Sequence, residues 1–80
     1  MANKVAYPEL RALLAKYGVT YSDLAEVVGM DYSSVALKMT DKREFKGSEM
    51  HKIKDYFFKK GEQGLSLEKI FFDWKFTNEN

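Results

Sequence analysis

Cysteine is absent from the 80 residues. That excludes disulfide staples and thiolate zinc sites, and it fits a reducing compartment. Histidine occurs once, as His51, and no Ser-His-Asp or metal-ligand spacing is visible. We therefore expect no catalytic residue, no metal site and no cofactor: the chain does not read as an enzyme. His51 itself is expected at the surface or boundary of a helix. No apolar run approaches the roughly 20 residues of a membrane span. The opening, MANKVAYPEL, also lacks the hydrophobic core of a secretory signal, so a cytoplasmic location and no membrane partner are expected. An excess of one charge is missing too: 13 Lys and Arg against 12 Asp and Glu leave +1. Total charge is thus weak support for a nucleic-acid partner.

What is present is core-forming material. Hydrophobic residues make up 45% and aromatics 15% of the sequence, which argues against a disordered chain. A single domain, 1–80, is expected. At this length only about 60 to 65% of the unfolded surface is buried on folding, so the core must be well filled. Charge is also unevenly placed. Residues 1–37 carry three Lys/Arg against four Asp/Glu, residues 38–60 eight against four, and residues 61–80 two against four. A phosphate-facing surface, if the chain has one, belongs in that basic middle third; the plainer reading is a solvated helix face.

The pattern along the chain is helical. Tyr7-Pro8-Glu9 opens a first helix over 8–17, with Leu10, Leu13, Leu14 and Tyr17 on one stripe and Gly18 as its C-terminal cap. Thr20 and Asp23 form a capping box for a second helix, 21–28, whose apolar face is Leu24, Ala25, Val27 and Val28 before Gly29. Asp31 caps a third helix from Tyr32 to Met39, its carboxylate accepting the N–H of Ser33 or Ser34. There Val35 and Met39 face one way, while Tyr32, Ser33, Ala36 and Leu37 face the other. Thr40 to Glu44 read as a loop and Phe45 as the apolar anchor that returns it to the core. A fourth helix covers 47–59 with Met50, Ile53 and Phe57 as its buried stripe, and Gly61-Glu62-Gln63-Gly64 ends it. Ser66 caps a short fifth helix carrying Leu67, Ile70 and Phe71. In the tail, 72–76, apolar and charged residues alternate with period two, a strand-like pattern without a partner in the chain. It is expected either to dock irregularly on the core or to pair with a second copy, and residues 77–80 are expected to fray.

The stretch from Thr20 to Val35 has the logic of two short helices at a tight corner: small Ala25 permits close approach, Gly29 supplies the turn and Val35 locks the second helix to the first. This spacing is that of the core of a helix-turn-helix, over about 20–40, and any αα-corner can show part of it. Together with Leu10-Arg11-Ala12, Asp23-Leu24-Ala25, Ser33-Ser34-Val35, Lys42-Arg43-Glu44-Phe45 and Ser66-Leu67-Glu68-Lys69-Ile70-Phe71, the chain resembles the Cro/cI-like (XRE-type) helix-turn-helix family over residues 8–72, as represented in phages and prophages of Gram-positive bacteria. The resemblance implies an all-α, compact five-helix lambda-repressor-like domain that binds double-stranded DNA operators as a homodimer, a repressor or Cro-like regulator. It implies that the third helix lies in the major groove, with Tyr32, Ser33, Ala36 and Leu37 toward base edges. Thr20, Tyr21 and Ser34 would approach phosphates at helix starts, and Lys38, Lys42, Arg43 and Lys46 would add charge along the DNA backbone. Phe72, Trp74 and Phe76 are the expected dimerisation residues, as apolar side chains an 80-residue monomer can scarcely cover.

Three departures from the family pattern matter. Tyr21 stands where relatives often have Gln, so any phosphate contact falls to a phenolic hydroxyl. Asp41 replaces a frequent Gly after the recognition helix and sets a negative charge near the presumed DNA backbone. The reading face has no Arg, Asn or Gln for bidentate base recognition, so readout would rest on thymine methyl contacts of Ala36 or Leu37, hydroxyls of Ser33 or Tyr32, and DNA shape. The alternative is that this same surface binds a protein, as in an anti-repressor.

Overall fold

Each of the first four helices starts and stops at a local chemical signal. In the computed structural model, which describes residues 5–76, these are α1 (Pro8–Tyr17), α2 (Tyr21–Val28), α3 (Tyr32–Met39) and α4 (Gly47–Lys59). Pro8 occupies the first position of α1, and Gly18 ends it in the left-handed conformation at φ 64°. The chain then reverses through an N–H of Val19 donated to the Leu14 carbonyl at 2.8 Å. Thr20 and Asp23 close a reciprocal box on α2, Asp23 N–H to Thr20 Oγ1 at 3.1 Å and Thr20 N–H to Asp23 Oδ2 at 2.9 Å. Gly29 supplies the corner at φ 78°, a region where a Cβ is strained. At α3 the Asp31 carboxylate accepts the Ser34 N–H at 2.9 Å. At α4 the Glu49 carboxylate accepts the N–H of Lys46 at 2.8 Å.

The stripes converge on one core. Leu10, Leu13 and Leu14 of α1, Leu24, Ala25 and Val28 of α2, Val35 and Met39 of α3, and Ile53 and Phe57 of α4 are all buried, whereas Met50, expected in the same stripe, is only partly so. α2 packs against both α3 and α4, so the corner rests on the rest of the bundle. Phe45 is buried, as expected of the anchor after the loop. Its ring meets Tyr7 edge-on at 5.3 Å and Phe71 at 5.4 Å.

The tail departs from the strand-like expectation. A π-helical turn, Glu68–Phe72, runs directly into a short helix α5, Asp73–Phe76, so the described residues are helical to the end and contain no strand. The Ser66 hydroxyl caps the segment, accepting the Lys69 N–H at 3.1 Å. Leu67, Ile70, Phe71 and Trp74 lie at i, i+3, i+4 and i+7, a helical stripe that competes with the period-two pattern of 72–76. The helix wins because it satisfies its own backbone N–H and C=O groups, which a lone strand cannot. Trp74 then reaches the core, its ring 5.0 Å from that of Tyr7. Residues 77–80, expected to fray, lie outside the described residues.

Tyr7 is the hub of this end of the molecule. It is 2% exposed and sits at φ 53°, a strained position for a non-glycine residue. Edge-on contacts with Phe45, Phe71 and Trp74 over-determine it, and such pairs are worth about 0.5–1.5 kcal/mol each beyond their burial. Burial first, then the charges of Asp41 and Glu44 and a hydrogen bond with Asp41, push its phenol up to about 12.

Candidate nucleic-acid interface

α3 is only eight residues long, and its two faces have divided the work. Val35 and Met39 are fully buried against α2 and the core. On the outer face Tyr32 is 56% exposed, Ser33 is exposed, and Ala36 and Leu37 are half-buried. Tyr32, Ser33, Ala36 and Leu37 line one shallow, open depression of about 440 Å³ together with Thr40 and Lys42. The four residues expected to meet base edges are thus gathered in one place, with a cation at the rim.

Thr40 and Asp41 end the helix. The Thr40 hydroxyl donates to the carbonyl of Ala36 at 2.8 Å, and Asp41 adopts φ 61°, the left-handed conformation that glycine takes most readily at the end of a helix. Its negative charge is not left facing outward alone: Lys75 of α5 approaches its carboxylate at 3.6 Å. Lys42 and Arg43 follow, both exposed, and the charge of Arg43 reaches Asp31 at the other end of α3. Lys46, also exposed, begins α4.

Lys38 is a correction. Expected to face the DNA backbone, it is 5% exposed, and its ammonium donates to Glu49 Oε1 at 2.7 Å. The reason is position: one residue before Met39, it leaves α3 on the flank that packs toward the start of α4, where a carboxylate is waiting. Burial opposes ionisation of Glu49, but the bond from Lys38, the N–H of Lys46 and the nearby ammonium charges hold its carboxyl below the usual range. Lys38 therefore fastens α3 to α4 and offers nothing to a phosphate.

The helix starts are also more occupied than expected. The backbone N–H of Ser34 is taken by Asp31 and that of Asp23 by Thr20. Both carboxylates are held below their ordinary range, Asp23 by the backbone N–H and side chain of Thr20, Asp31 by the side chain and backbone of Ser34. An incoming phosphate meets a carboxylate at each of these two termini, and the hydroxyls of Thr20 and Ser34 are already turned to those carboxylates.

Tyr21 is half-buried, and its ring leans on Tyr32 at 5.9 Å between centroids. Its hydroxyl accepts a bond from Arg11 Nη1 at 3.1 Å. Sequence reading missed Arg11. Its guanidinium also donates from Nε to the Ala6 carbonyl at 2.7 Å and from Nη2 to the Met39 carbonyl at 2.8 Å, joining the segment before α1, the start of α2 and the end of α3. The available signal was slight, a single arginine flanking the Leu10–Leu13–Leu14 stripe. Of the expected dimerisation residues, Trp74 is partly covered by the core, while Phe72 and Phe76 are 37% and 79% exposed.

No helix of the described residues is long and apolar enough to cross a membrane. The chain matches no protein-family model, no curated protein and no solved structure.

Proposed function

We propose that this chain is a sequence-specific double-stranded DNA-binding regulator with a lambda-repressor-like fold, α2 and α3 forming the helix-turn-helix and the outer face of α3 entering the major groove. The observation that carries the reading is the division of α3: an inner face locked into the core and an outer face on which Tyr32, Ser33, Ala36 and Leu37 lie open beside Lys42. Ser33 and Leu37 are the reading residues, one through its hydroxyl and the other by apolar contact with a thymine methyl. Lys42, Arg43 and Lys46 neutralise phosphates on the flank. The chain acts without a catalytic residue or cofactor, as a repressor or Cro-like switch.

A homodimer completes the proposal. With Trp74 committed to Tyr7, exposed Phe72 and Phe76 are the residues offered to a second copy, and half-sites would lie about 34–36 Å apart, one turn of duplex. The second reading is a protein partner on the same depression. It is favoured by the lack of bidentate side chains there and by the carboxylates seated at both helix starts.

The test is salt. Binding of the parent to duplex should weaken steeply as salt rises, and Lys42→Ala with Arg43→Ala should flatten the slope by roughly 0.9 per lost phosphate contact, on selected and random duplex alike. A protein-only module would bind neither duplex.

A further inference from the structure

We propose that Arg11 is a positioning residue, whose guanidinium turns the Tyr21 hydroxyl into an outward hydrogen-bond donor for a phosphodiester oxygen and ties that donor to the C-terminal end of α3. The inference rests on the DNA-binding reading above and adds to it a residue outside the helix-turn-helix.

The argument begins with what a guanidinium can do. It has donors only. Two backbone carbonyls, Ala6 at 2.7 Å and Met39 at 2.8 Å, fix its plane, and its third group points at the phenol oxygen of Tyr21 at 3.1 Å. At that bond the oxygen must accept, so its single proton is released for a different acceptor. Donation by a cation polarises the O–H further, since bonds in a chain reinforce one another and charge-assisted ones are the stronger. The ring of Tyr21 is fixed as well, leaning on Tyr32 at 5.9 Å. The phenol is thereby registered to both ends of α3, through Tyr32 at the start and through Arg11 and the Met39 carbonyl at the finish. The competing anion positions on this flank, the starts of α2 and α3, already hold Asp23 and Asp31. A DNA phosphate approaching the same flank finds one organised donor, Tyr21, backed by the positive charge of Arg11.

A neutral hydroxyl displaces no counterion, which gives the contact a signature of its own. Tyr21→Phe removes one oxygen and its proton. Binding to a selected duplex and to a random-sequence duplex should each weaken about tenfold, the size of one hydrogen bond to a charged group. The salt slope and the thermal midpoint should stay unchanged. Arg11→Lys keeps the charge but loses the fork. It should weaken binding by a similar factor, and the double variant should bind no worse than either single one, because both disable the same contact. Full affinity in Tyr21→Phe would overturn the inference, as would losses that multiply in the double variant. A parent that binds no duplex even at low salt would instead overturn the DNA-binding reading itself, so the two failures are distinguishable.

Discussion

The two ends of α3 are held by different chemistry. At its start the helix has one exposed cap, Asp31 to Ser34, and an aromatic ring, Tyr32, that is more than half in solvent. At its end Met39 is fully buried, its carbonyl is bonded to Arg11, and Lys38 beside it makes a buried ion pair with Glu49. The loop beyond is held as well, since Asp41 pairs with Lys75 and Phe45 is buried against Tyr7 and Phe71. Folding is therefore concentrated at the finish of the helix, and the start is left open. Under the proposed DNA-binding function, the residues near this open start are among those that would meet base edges. One eight-residue helix thus keeps the part that must be fixed apart from the part that can vary.

The largest effect should come from breaking the fixed end. Lys38→Met strands the half-buried Glu49 carboxylate, and loss of one partner of a buried pair typically removes 3–5 kcal/mol. Glu49 keeps the N–H of Lys46, which places the expected loss at the low end, about 3 kcal/mol, read from urea denaturation. Should stability hold, the pair would not be what fastens α3 to α4. Next in size, Trp74→Ala removes the partly buried ring that braces Tyr7. About 2 kcal/mol should be lost, below the range for a fully buried tryptophan. A variant as stable as the parent would return Trp74 to the dimer interface.

A smaller effect follows pH. Asp23, Asp31, Glu49 and Glu62 are all held below the ordinary carboxylate range in the folded chain, the last by Lys16 and then Tyr17. The unfolded chain binds protons first as the pH falls from about 5, so their contribution is complete above the ordinary carboxylate pKa and is lost as pH falls through the depressed values. At the alkaline end the sign reverses for Tyr7: its phenol, raised from 10.0 to about 12, keeps its proton in the fold, so stability should fall as pH climbs across that interval. Asp31→Asn should soften the acid limb while leaving the neutral midpoint nearly unchanged, since Asn caps a helix about as well as Asp. A thermal-melt series across pH checks both limbs.

The sequence was most informative where a local signal decides the backbone. Pro8, Gly18, the Thr20–Asp23 box, Gly29 and Asp31 each act within one turn of helix, and the bounds of α1, α2 and α3 follow from them. The tail was ambiguous because 72–76 matches period two while 67–74 matches period 3.6, and only the packing of Trp74 on Tyr7 separates them. For the candidate site, the outer residues of α3 were legible from helical geometry. The burial of Lys38 was not, because it depends on Glu49 eleven residues later. Arg11 was hidden for the same reason: its partner carbonyl at Met39 is 28 residues away.

The most direct measurement is selection of bound fragments from a random duplex library, followed by affinity and stability of Ser33→Ala and Leu37→Ala. The parent should enrich a motif. Each substitution should cost about 1–3 kcal/mol on that motif and much less on random duplex, leaving folded stability within about 0.5 kcal/mol for exposed Ser33 and within about 1 kcal/mol for half-buried Leu37. Enrichment that survives both substitutions, or unfolding by either one, would contradict the assignment of reading to the open face of α3 and of folding to its buried one.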